Sequence, residues 1–198
     1  MTSGLTERDR AKADRQAAIL REAARLFAER GFSGVSLEDL GGAVGVSGPA
    51  VYRHFANKQA LLGAILVQVS EKLLSGGRDV LARESDPSVR LAALVAFHVD
   101  FALHDADVIR VQDRDLASLC DEDRNRVRRL QREYVELWIE VLGQLHPDRA
   151  ASDLRIRAHA CFGLMNSTPY SLRGARHAAA DRTVRAVLEA MALASLTV

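Results

Sequence analysis

The sequence predicts an all-α protein in which an N-terminal three-helix helix-turn-helix domain precedes a larger helical domain, with about nine helices in total. Three observations lead to this prediction. Alanine, leucine, arginine and glutamate are abundant and only four prolines occur in 198 residues, a composition that favours helices. Apolar residues repeat with a helical period along most of the chain. The hydrophobic content of 48% is enough to fill a substantial core.

The charge and cysteine content narrow the class of protein. The net charge is +1, so a surface that binds nucleic acid has to be a local basic patch. Cys120 and Cys161 lie far apart without the spacing of metal ligands, so we expect no metal, no cofactor and no disulfide. The N-terminal residues lack the apolar core of a signal peptide, and no uninterrupted apolar run suits a membrane span. The sequence therefore predicts a cytoplasmic protein without membrane contact.

The first helix is predicted to follow a polar and charged arm of about ten residues. Leu20, Ala23, Ala24 and Phe27 lie at positions i, i+3, i+4 and i+7, which places them on one face of a helix. Gly31 follows as a C-terminal stop signal. The helix is therefore expected to end near this glycine.

Two short helices joined by a glycine turn are predicted next. Ser36 and Asp39 have the spacing of a capping box, which begins a helix that runs to about Ala43. Gly45 supplies the turn, and a third helix covers about 48–54. Such a pair is typical of a helix-turn-helix whose second helix enters the major groove of DNA. Helical hairpins in ordinary protein cores show the same pattern, so the pair alone leaves both interpretations open.

The remaining helices form the second domain. Asn57 is predicted to cap a fourth helix that breaks at Ser75-Gly76-Gly77 or a little later. The domain boundary is placed at residue 58, which gives domains of 1–58 and 59–198. Five further helices are predicted over 88–103, 106–119, 121–146, 152–171 and 181–196.

The segment from Val44 to Leu62, VGVSGPAVYRHFANKQALL, closely resembles the signature of the TetR family of transcriptional regulators. The resemblance extends over about residues 15–66. Upstream of the signature it includes Ile19-Leu20, Ala23-Ala24, Leu26-Phe27, Gly31-Phe32 and Val35-Ser36-Leu37. It implies a homodimeric repressor whose residues 1–58 bind palindromic double-stranded operator DNA and whose residues 59–198 bind a small-molecule effector and dimerise.

The resemblance also implies which residues contact DNA. Tyr52 and His54 would donate hydrogen bonds to phosphates, and Lys58 would bind a phosphate beside the free amides that begin the fourth helix. Arg53 would read a base or bind a phosphate. The candidate DNA contacts are Ser36, Ser47, Gly48, Pro49, Ala50, Tyr52, Arg53, His54 and Lys58. The alternatives are a partly buried tyrosine with a structural histidine, and serines that serve first as helix caps.

The second domain contains more large and polar-tipped side chains than core packing requires, a mixture that suits a ligand pocket. An ordinary core with some snorkelling side chains is the alternative. Arg110 is a cation between apolar neighbours, which would pair with Asp113 or bind an anionic ligand. The candidate ligand-binding residues are Phe97, Phe101, Arg110, Tyr134, Trp138, Phe162, Met165, Asn166 and Tyr170.

Two short segments suggest the class of effector. Residues 132–138 and 163–167 are similar to TetR regulators of fatty-acid or steroid breakdown that respond to acyl-CoA thioesters. The expected effector is an elongated, largely apolar and anionic metabolite, with Arg110 as the candidate partner of its negative charge. In the family the last two long helices form the dimer interface, which here places Val187 and Leu188 in that interface. A DNA-binding regulator without an effector is the alternative.

An enzyme on an all-helical scaffold is the rival class. His98, Asp100, His104 and Asp105 carry the functional groups of an acid-base or metal site, but only Asp100 and His104 share a helical i, i+4 face. No nucleophile elbow, phosphate-binding loop or zinc-ligand motif occurs in the sequence. We therefore predict no catalytic residue.

Overall fold

The computed structural model describes residues 7–45, 51–171 and 178–198, and within these ranges it contains eight α-helices and no strand. The all-α prediction is confirmed. A short 3₁₀ helix, Leu116–Ser118, follows the fifth α-helix. The α-helices are α1 (Glu7–Arg30), α2 (Leu37–Ala43), α3 (Lys58–Arg83), α4 (Pro87–His104), α5 (Ala106–Asp115), α6 (Asp121–Leu145), α7 (Ala151–Ser171) and α8 (Ala178–Thr197).

The chain forms two compact units. Unit 1 comprises residues 1–68 and 110–126, and unit 2 comprises residues 69–109 and 127–198. Helices α3, α5 and α6 contribute residues to both units.

Helix α1 in unit 1 begins within the segment that was predicted to be an arm, because its arginine, alanine and lysine residues are good helix formers. At its C-terminus Gly31 adopts φ +82°, a backbone conformation that glycine tolerates without strain. The Gly31 amide donates to Phe27 O at 2.9 Å. The guanidinium of Arg114 also donates to Phe27 O and, at 3.4 Å, to Ala28 O. Backbone carbonyls that the helix end leaves unpaired are thereby satisfied.

The capping box of α2 is confirmed. Ser36 Oγ accepts a hydrogen bond from the Asp39 amide at 3.0 Å, and Asp39 Oδ2 accepts one from the Ser36 amide at 2.8 Å. The hydrogen bonds from Ser36 lower the pKa of the Asp39 carboxyl. After the helix, Gly45 adopts φ +68°, as the turn requires. The first three residues of the third helix predicted over 48–54 lie outside the described residues, because these exclude 46–50.

Helix α3 begins as predicted, since Asn57 Oδ1 accepts a hydrogen bond from the Ala60 amide at 2.8 Å. It is long and apolar enough to be considered for a membrane span, with a mean hydropathy of 1.2 over 18 residues. However, 56% of that window is buried inside the protein, as is typical of a core helix.

The predicted break of this helix at Ser75-Gly76-Gly77 is wrong, because α3 continues through both glycines to Arg83. Packing within unit 2 explains the glycines. A Cβ at Gly76 would lie 2.3 Å from Phe97 Cζ, and one at Gly77 would lie 2.9 Å from Tyr134 Cε2. The glycines therefore allow two aromatic side chains to approach the α3 backbone closely.

The core of unit 2 is built from α4, α6, α7, α8 and the C-terminal part of α3. Asp86 caps α4 by accepting from the Ser88 and Val89 amides at 2.8 and 3.1 Å, and Pro87 occupies the first turn, where no intrahelical donor is lost. Helix α8 packs against α4 and α7. Buried core residues include Leu91, Leu94, Val95, Val99, Trp138, Val141, Leu142, Leu154, Met165, Leu188 and Leu196.

Two apolar surfaces of unit 2 remain exposed on its last two helices. Ile156 on α7 is 68% exposed, and Val187 and Met191 on α8 are 50% and 51% exposed. Leu188 is only 3% exposed and belongs to the core. The prediction that Leu188 lies in a dimer interface is therefore wrong, because its side chain packs into the core of unit 2, about 100° around α8 from the exposed Val187.

The packing of Gly77 predicts opposite effects of alanine at two helical glycines. Gly77→Ala should lower the free energy of unfolding by roughly 1–2 kcal/mol, because the added methyl group meets Tyr134 and Leu137, whose nearest atoms lie at 2.9 and 3.1 Å. Gly143→Ala should raise it by about 0.5–1 kcal/mol, since its Cβ meets only Leu154 Cδ1 at 3.8 Å and alanine is the better helix former. Urea unfolding measures both changes. Equal stabilisation by the two alanines would contradict the packing argument.

Candidate functional site

The end of the predicted recognition helix presents three polar side chains to solvent. Val51 and Tyr52 are helical. Tyr52 is 50% exposed, Arg53 is exposed and His54 is partly exposed, whereas the buried Val51 and Phe55 anchor the segment in unit 1. Four further candidate DNA contacts lie outside the described residues, namely Ser47, Gly48, Pro49 and Ala50.

Lys58 holds the chain that leads into α2. Its Nζ donates to Phe32 O at 2.8 Å and to Val35 O at 2.9 Å, and it lies 4.5 Å from the centroid of the Phe32 ring. An ammonium group has three donors, so one remains for a phosphate. Lys58 therefore has a structural function in unit 1, whether or not it also contacts DNA. Ser36 is likewise engaged as the N-cap of α2.

Four aromatic rings meet inside unit 2. Those of Tyr134, Trp138 and Phe162 surround the imidazole of His98, with centroid distances to His98 of 5.8, 6.0 and 4.8 Å. Phe101 extends the group, with its ring 5.8 Å from His98. The structure thus brings together several of the predicted ligand-binding residues around a histidine that was not among them.

The buried polar groups of this cluster form a hydrogen-bond chain. His98 Nε2 lies 3.1 Å from Asn166 Oδ1, and His98 Nδ1 lies 3.2 Å from the Tyr134 hydroxyl. Because an amide oxygen only accepts, His98 Nε2 carries the proton, and Nδ1 accepts from the tyrosine. Burial lowers the pKa of His98 from 6.5 to about 4, although the bond to Asn166 partly opposes this shift. The imidazole is therefore neutral at physiological pH.

Trp138 completes the cluster with a donor that has no acceptor. The side chain is fully buried, and its Nε1–H meets no acceptor in hydrogen-bonding geometry among the described residues. The Tyr134 hydroxyl is a neighbouring polar group. Burial raises the pKa of that hydroxyl, and the neighbouring indole opposes the rise in part. A buried donor without an acceptor is rare and costs free energy.

A separate cavity of about 190 Å³ opens on unit 2 between α3 and α4. Leu73, Phe97 and Phe101 line it with apolar surface. Lys72 and Asp105 lie at its edge and pair at 3.0 Å, so this part of the edge is electrically balanced. The cavity is smaller than the roughly 300–1,000 Å³ typical of pockets for drug-sized ligands.

The other predicted ligand-binding residues do not all lie in the aromatic cluster around His98. Met165 is buried in the core of unit 2. Arg110 belongs to unit 1, and the side chain of Tyr170 lies outside the described residues. Sequence reasoning missed His98, and the only signal that could have indicated it was its place on the apolar face of α4. No cluster of three or more potential metal ligands occurs among the described residues.

Two family profiles match the chain. One, described as bacterial regulatory proteins of the tetR family, covers residues 19–65. The other, described as a tetracyclin repressor-like C-terminal domain, covers residues 84–191, which is more than half of the chain.

Individual relatives match over part of their length. The transcriptional activator FasR of Mycolicibacterium smegmatis is 33% identical over 50% of this chain and 45% of its own. The transcriptional repressor KstR2 of Rhodococcus jostii is 32% identical over 66% of this chain and 65% of its own. The aligned region therefore spans between about half and two thirds of these relatives.

Solved structures share the fold over nearly their whole length. A TetR-family regulator from Bordetella parapertussis has a TM-score of 0.80 and 25% identity over 91% of this chain and 93% of its own. The regulator AibR, solved with isovaleryl coenzyme A and operator DNA, has a TM-score of 0.75 and 21% identity over 89% of this chain and 97% of its own.

The buried imidazole predicts a pH dependence of stability. The unfolded chain binds a proton at His98 near pH 6.5, but the folded protein does so only near pH 4. As the pH falls from 6.5 towards 4, the wild type should therefore lose about 1.4 kcal/mol of stability per pH unit through this residue. Urea unfolding of the wild type, His98→Gln and the exposed-site control His104→Gln would measure this loss. Only His98→Gln should remove it, and parallel curves for all three proteins would contradict the assignment.

Proposed function

The chain belongs to the TetR family of bacterial regulatory proteins, and from this premise we propose that it is a cytoplasmic transcriptional repressor that binds palindromic operator DNA as a homodimer and is released by a small-molecule effector. The observation that carries the proposal is the match over residues 19–65, which includes α2 and the polar side chains at the end of the predicted recognition helix. Relatives include both a repressor and an activator. Repression is proposed because the relative aligned over the larger share of the chain is a repressor.

The proposed DNA contacts differ in function. Tyr52 and His54 are at least partly exposed and would donate to phosphates, and Arg53 has the length and charge to reach a base edge or a phosphate. Lys58 supports them in two ways, because it fixes the backbone before α2 and retains one donor for a phosphate. The phosphate contacts position the protein on DNA, so they act alike on all sequences, whereas a base contact by Arg53 would favour particular sequences.

Two substitutions should separate DNA contact from structural support. Tyr52→Phe removes an exposed hydroxyl, so it should weaken binding to specific and nonspecific DNA alike and change the free energy of unfolding by less than about 0.5 kcal/mol. Lys58→Met should lower the free energy of unfolding by about 1–2 kcal/mol, because Phe32 O and Val35 O lose their donor. It should also reduce the salt dependence of DNA affinity by roughly one phosphate contact.

Fluorescence anisotropy at several salt concentrations and urea unfolding without DNA provide the two readouts. An unchanged stability of Lys58→Met would refute its support of the α2 loop. Unchanged DNA affinity of Tyr52→Phe would remove this tyrosine from the interface.

The proposed dimer interface lies on the exposed apolar faces of α7 and α8. Ile156, Val187 and Met191 are too exposed to contribute much to the core of one subunit. Small residues accompany them, since a Cβ at the exposed Gly163 would meet no atom within 4 Å. Small side chains let helices of a second copy approach closely, and a two-fold dimer would present two recognition helices to two half-sites.

A charge in this face should prevent dimerisation. Val187→Asp should yield a folded monomer that has lost specific DNA binding, because a carboxylate would be buried against the second subunit. Val89→Asp is the matched control, since Val89 is 45% exposed and lies on α4, which is not one of the two helices of the proposed interface. Light scattering gives the oligomeric state. If Val187→Asp remains dimeric, the interface lies elsewhere.

We assign the effector to unit 2 and propose an acyl-CoA thioester or a similar elongated, largely apolar metabolite. The aromatic cluster around His98 and the resemblance of 132–138 and 163–167 to acyl-CoA-responsive regulators support this class. AibR, a structural neighbour, was solved with isovaleryl coenzyme A. Helix α3 contributes residues to both units, so it is proposed to transmit the response.

If effector binding and DNA binding are coupled, each should change the affinity of the other, and this makes the effector proposal testable. An effector that favours the conformation unable to bind the operator should weaken DNA affinity about 5–150-fold, and DNA should weaken effector affinity by the same factor. Calorimetry with isovaleryl-CoA, longer acyl-CoA thioesters, free fatty acids and unrelated aromatic drugs, each with and without an operator selected from random DNA, measures both factors. Binding of the drugs alone would exclude acyl-CoA specificity. Operator binding with no response to any compound would favour a regulator without an effector.

A further inference from the structure

Trp138 lies at the centre of the aromatic cluster and carries the unpaired donor of that cluster. Its side chain is 0% exposed, and Nε1–H has no acceptor in hydrogen-bonding geometry among the described residues. The Phe162 ring lies 5.0 Å from the indole and perpendicular to it within about 10°, at an interplanar angle of 80°. A donor in such apolar surroundings gains most from an acceptor oxygen, because no water competes for it.

In the hydrogen-bond chain beside Trp138, the Tyr134 oxygen approaches the indole but does not lie in hydrogen-bonding geometry with Nε1–H. Tyr134 donates its proton to His98 Nδ1, and His98 donates its own to Asn166 Oδ1. Asn166 then retains an amino group with two donors and is only partly buried. The indole N–H and the Asn166 amino group can therefore still donate hydrogen bonds. A matching ligand group has to be an acceptor.

The charge of the side chains around Trp138 limits which kinds of acceptor group can bind there. His98 is neutral, and Tyr134, Phe162 and Met165 carry no charge. A carboxylate placed here would be buried without a cation from these side chains, which is costly. A carbonyl oxygen of a ketone, ester, thioester or amide accepts hydrogen bonds without that cost.

The cluster also reaches the surface of unit 2 along α7. Phe162 and Asn166 are four residues apart on this helix, so they lie on one face, and both are partly exposed. Both contact His98, since the Phe162 ring centroid is 4.8 Å from the imidazole and Asn166 Oδ1 is 3.1 Å from Nε2. The Phe162 ring, 5.0 Å from the indole, is therefore a partly exposed side chain next to Trp138.

We propose that the Trp138 indole N–H, in the cluster that also contains the Asn166 amide, is a recognition point for an uncharged carbonyl oxygen of the effector. This inference rests on the effector-binding function proposed above and specifies its chemistry. The carbonyl enters beside Phe162, accepts from Nε1–H, and satisfies a donor that the folded protein leaves unpaired. The apolar remainder of the ligand packs on the aromatic rings.

The chain contains one tryptophan, so the full-length protein gives a single indole N–H signal by nuclear magnetic resonance. Two pairs of small probes are used, and the members of each pair differ mainly in a carbonyl group. One pair is acetophenone and isopropylbenzene. The other is cyclohexyl methyl ketone and isopropylcyclohexane. Each ketone should move the indole proton downfield in a saturable manner, whereas each hydrocarbon should not. The ketones should also bind about threefold to tenfold more tightly than their partners.

Trp138→Phe keeps an aromatic ring and removes the donor. In this variant each ketone should bind no more tightly than its hydrocarbon, while Phe162→Leu, which retains the indole, should keep the preference for ketones. An indole signal that no ketone moves in the wild type, or a preference for ketones that survives in Trp138→Phe, would overturn the inference.

The operator measurement separates this inference from the proposed function. If acyl-CoA thioesters release the operator but the indole signal responds to no carbonyl probe, the inference is overturned and the regulator remains. If the ketones move the signal but the protein binds no DNA, the proposed regulator is refuted and the carbonyl site is supported.

Discussion

The close packing of α3 against two aromatic side chains constrains much of unit 2. Gly76 and Gly77 have no Cβ, so Phe97 and Tyr134 lie against the α3 backbone at distances that a methyl group would occupy. Phe97 then lines the cavity between α3 and α4, and Tyr134 is held where its hydroxyl meets His98. The intrinsic cost of two glycines in a helix, about 1 kcal/mol each relative to alanine, is thus offset by the packing they allow.

The polar interior of unit 2 follows from this placement. With Tyr134 held in position, its hydroxyl donates to His98, which makes the imidazole an acceptor at Nδ1 and a donor at Nε2. A protonated imidazole would lose the bond from Tyr134 and would be buried without a counter-charge among its contacts. Burial therefore keeps His98 neutral and gives the chain of hydrogen bonds one direction.

The sequence predicted the features that depend on local interactions. The caps at Ser36 and Asn57 involve residues three positions apart, and both are confirmed, as is the membership of the TetR family predicted from residues 15–66. Tertiary packing decided the others. In isolation Gly76-Gly77 predicts the end of a helix. In the folded protein α3 continues through these glycines, which leave room for the neighbouring aromatic rings. Likewise, which of Val187 and Leu188 faces solvent depends on how α8 lies on α4 and α7.

The unpaired indole of Trp138 illustrates a conflict between stability and recognition. Leaving a buried N–H without an acceptor costs the folded protein about 1–3 kcal/mol, a substantial part of the stability of a typical domain. A phenylalanine would fill much of the same space without that cost. The donor becomes an advantage only when a ligand supplies the acceptor, because the bound state then gains a hydrogen bond in a medium of low polarity. The same cost that weakens the unliganded fold therefore strengthens discrimination between ligands with and without a carbonyl group.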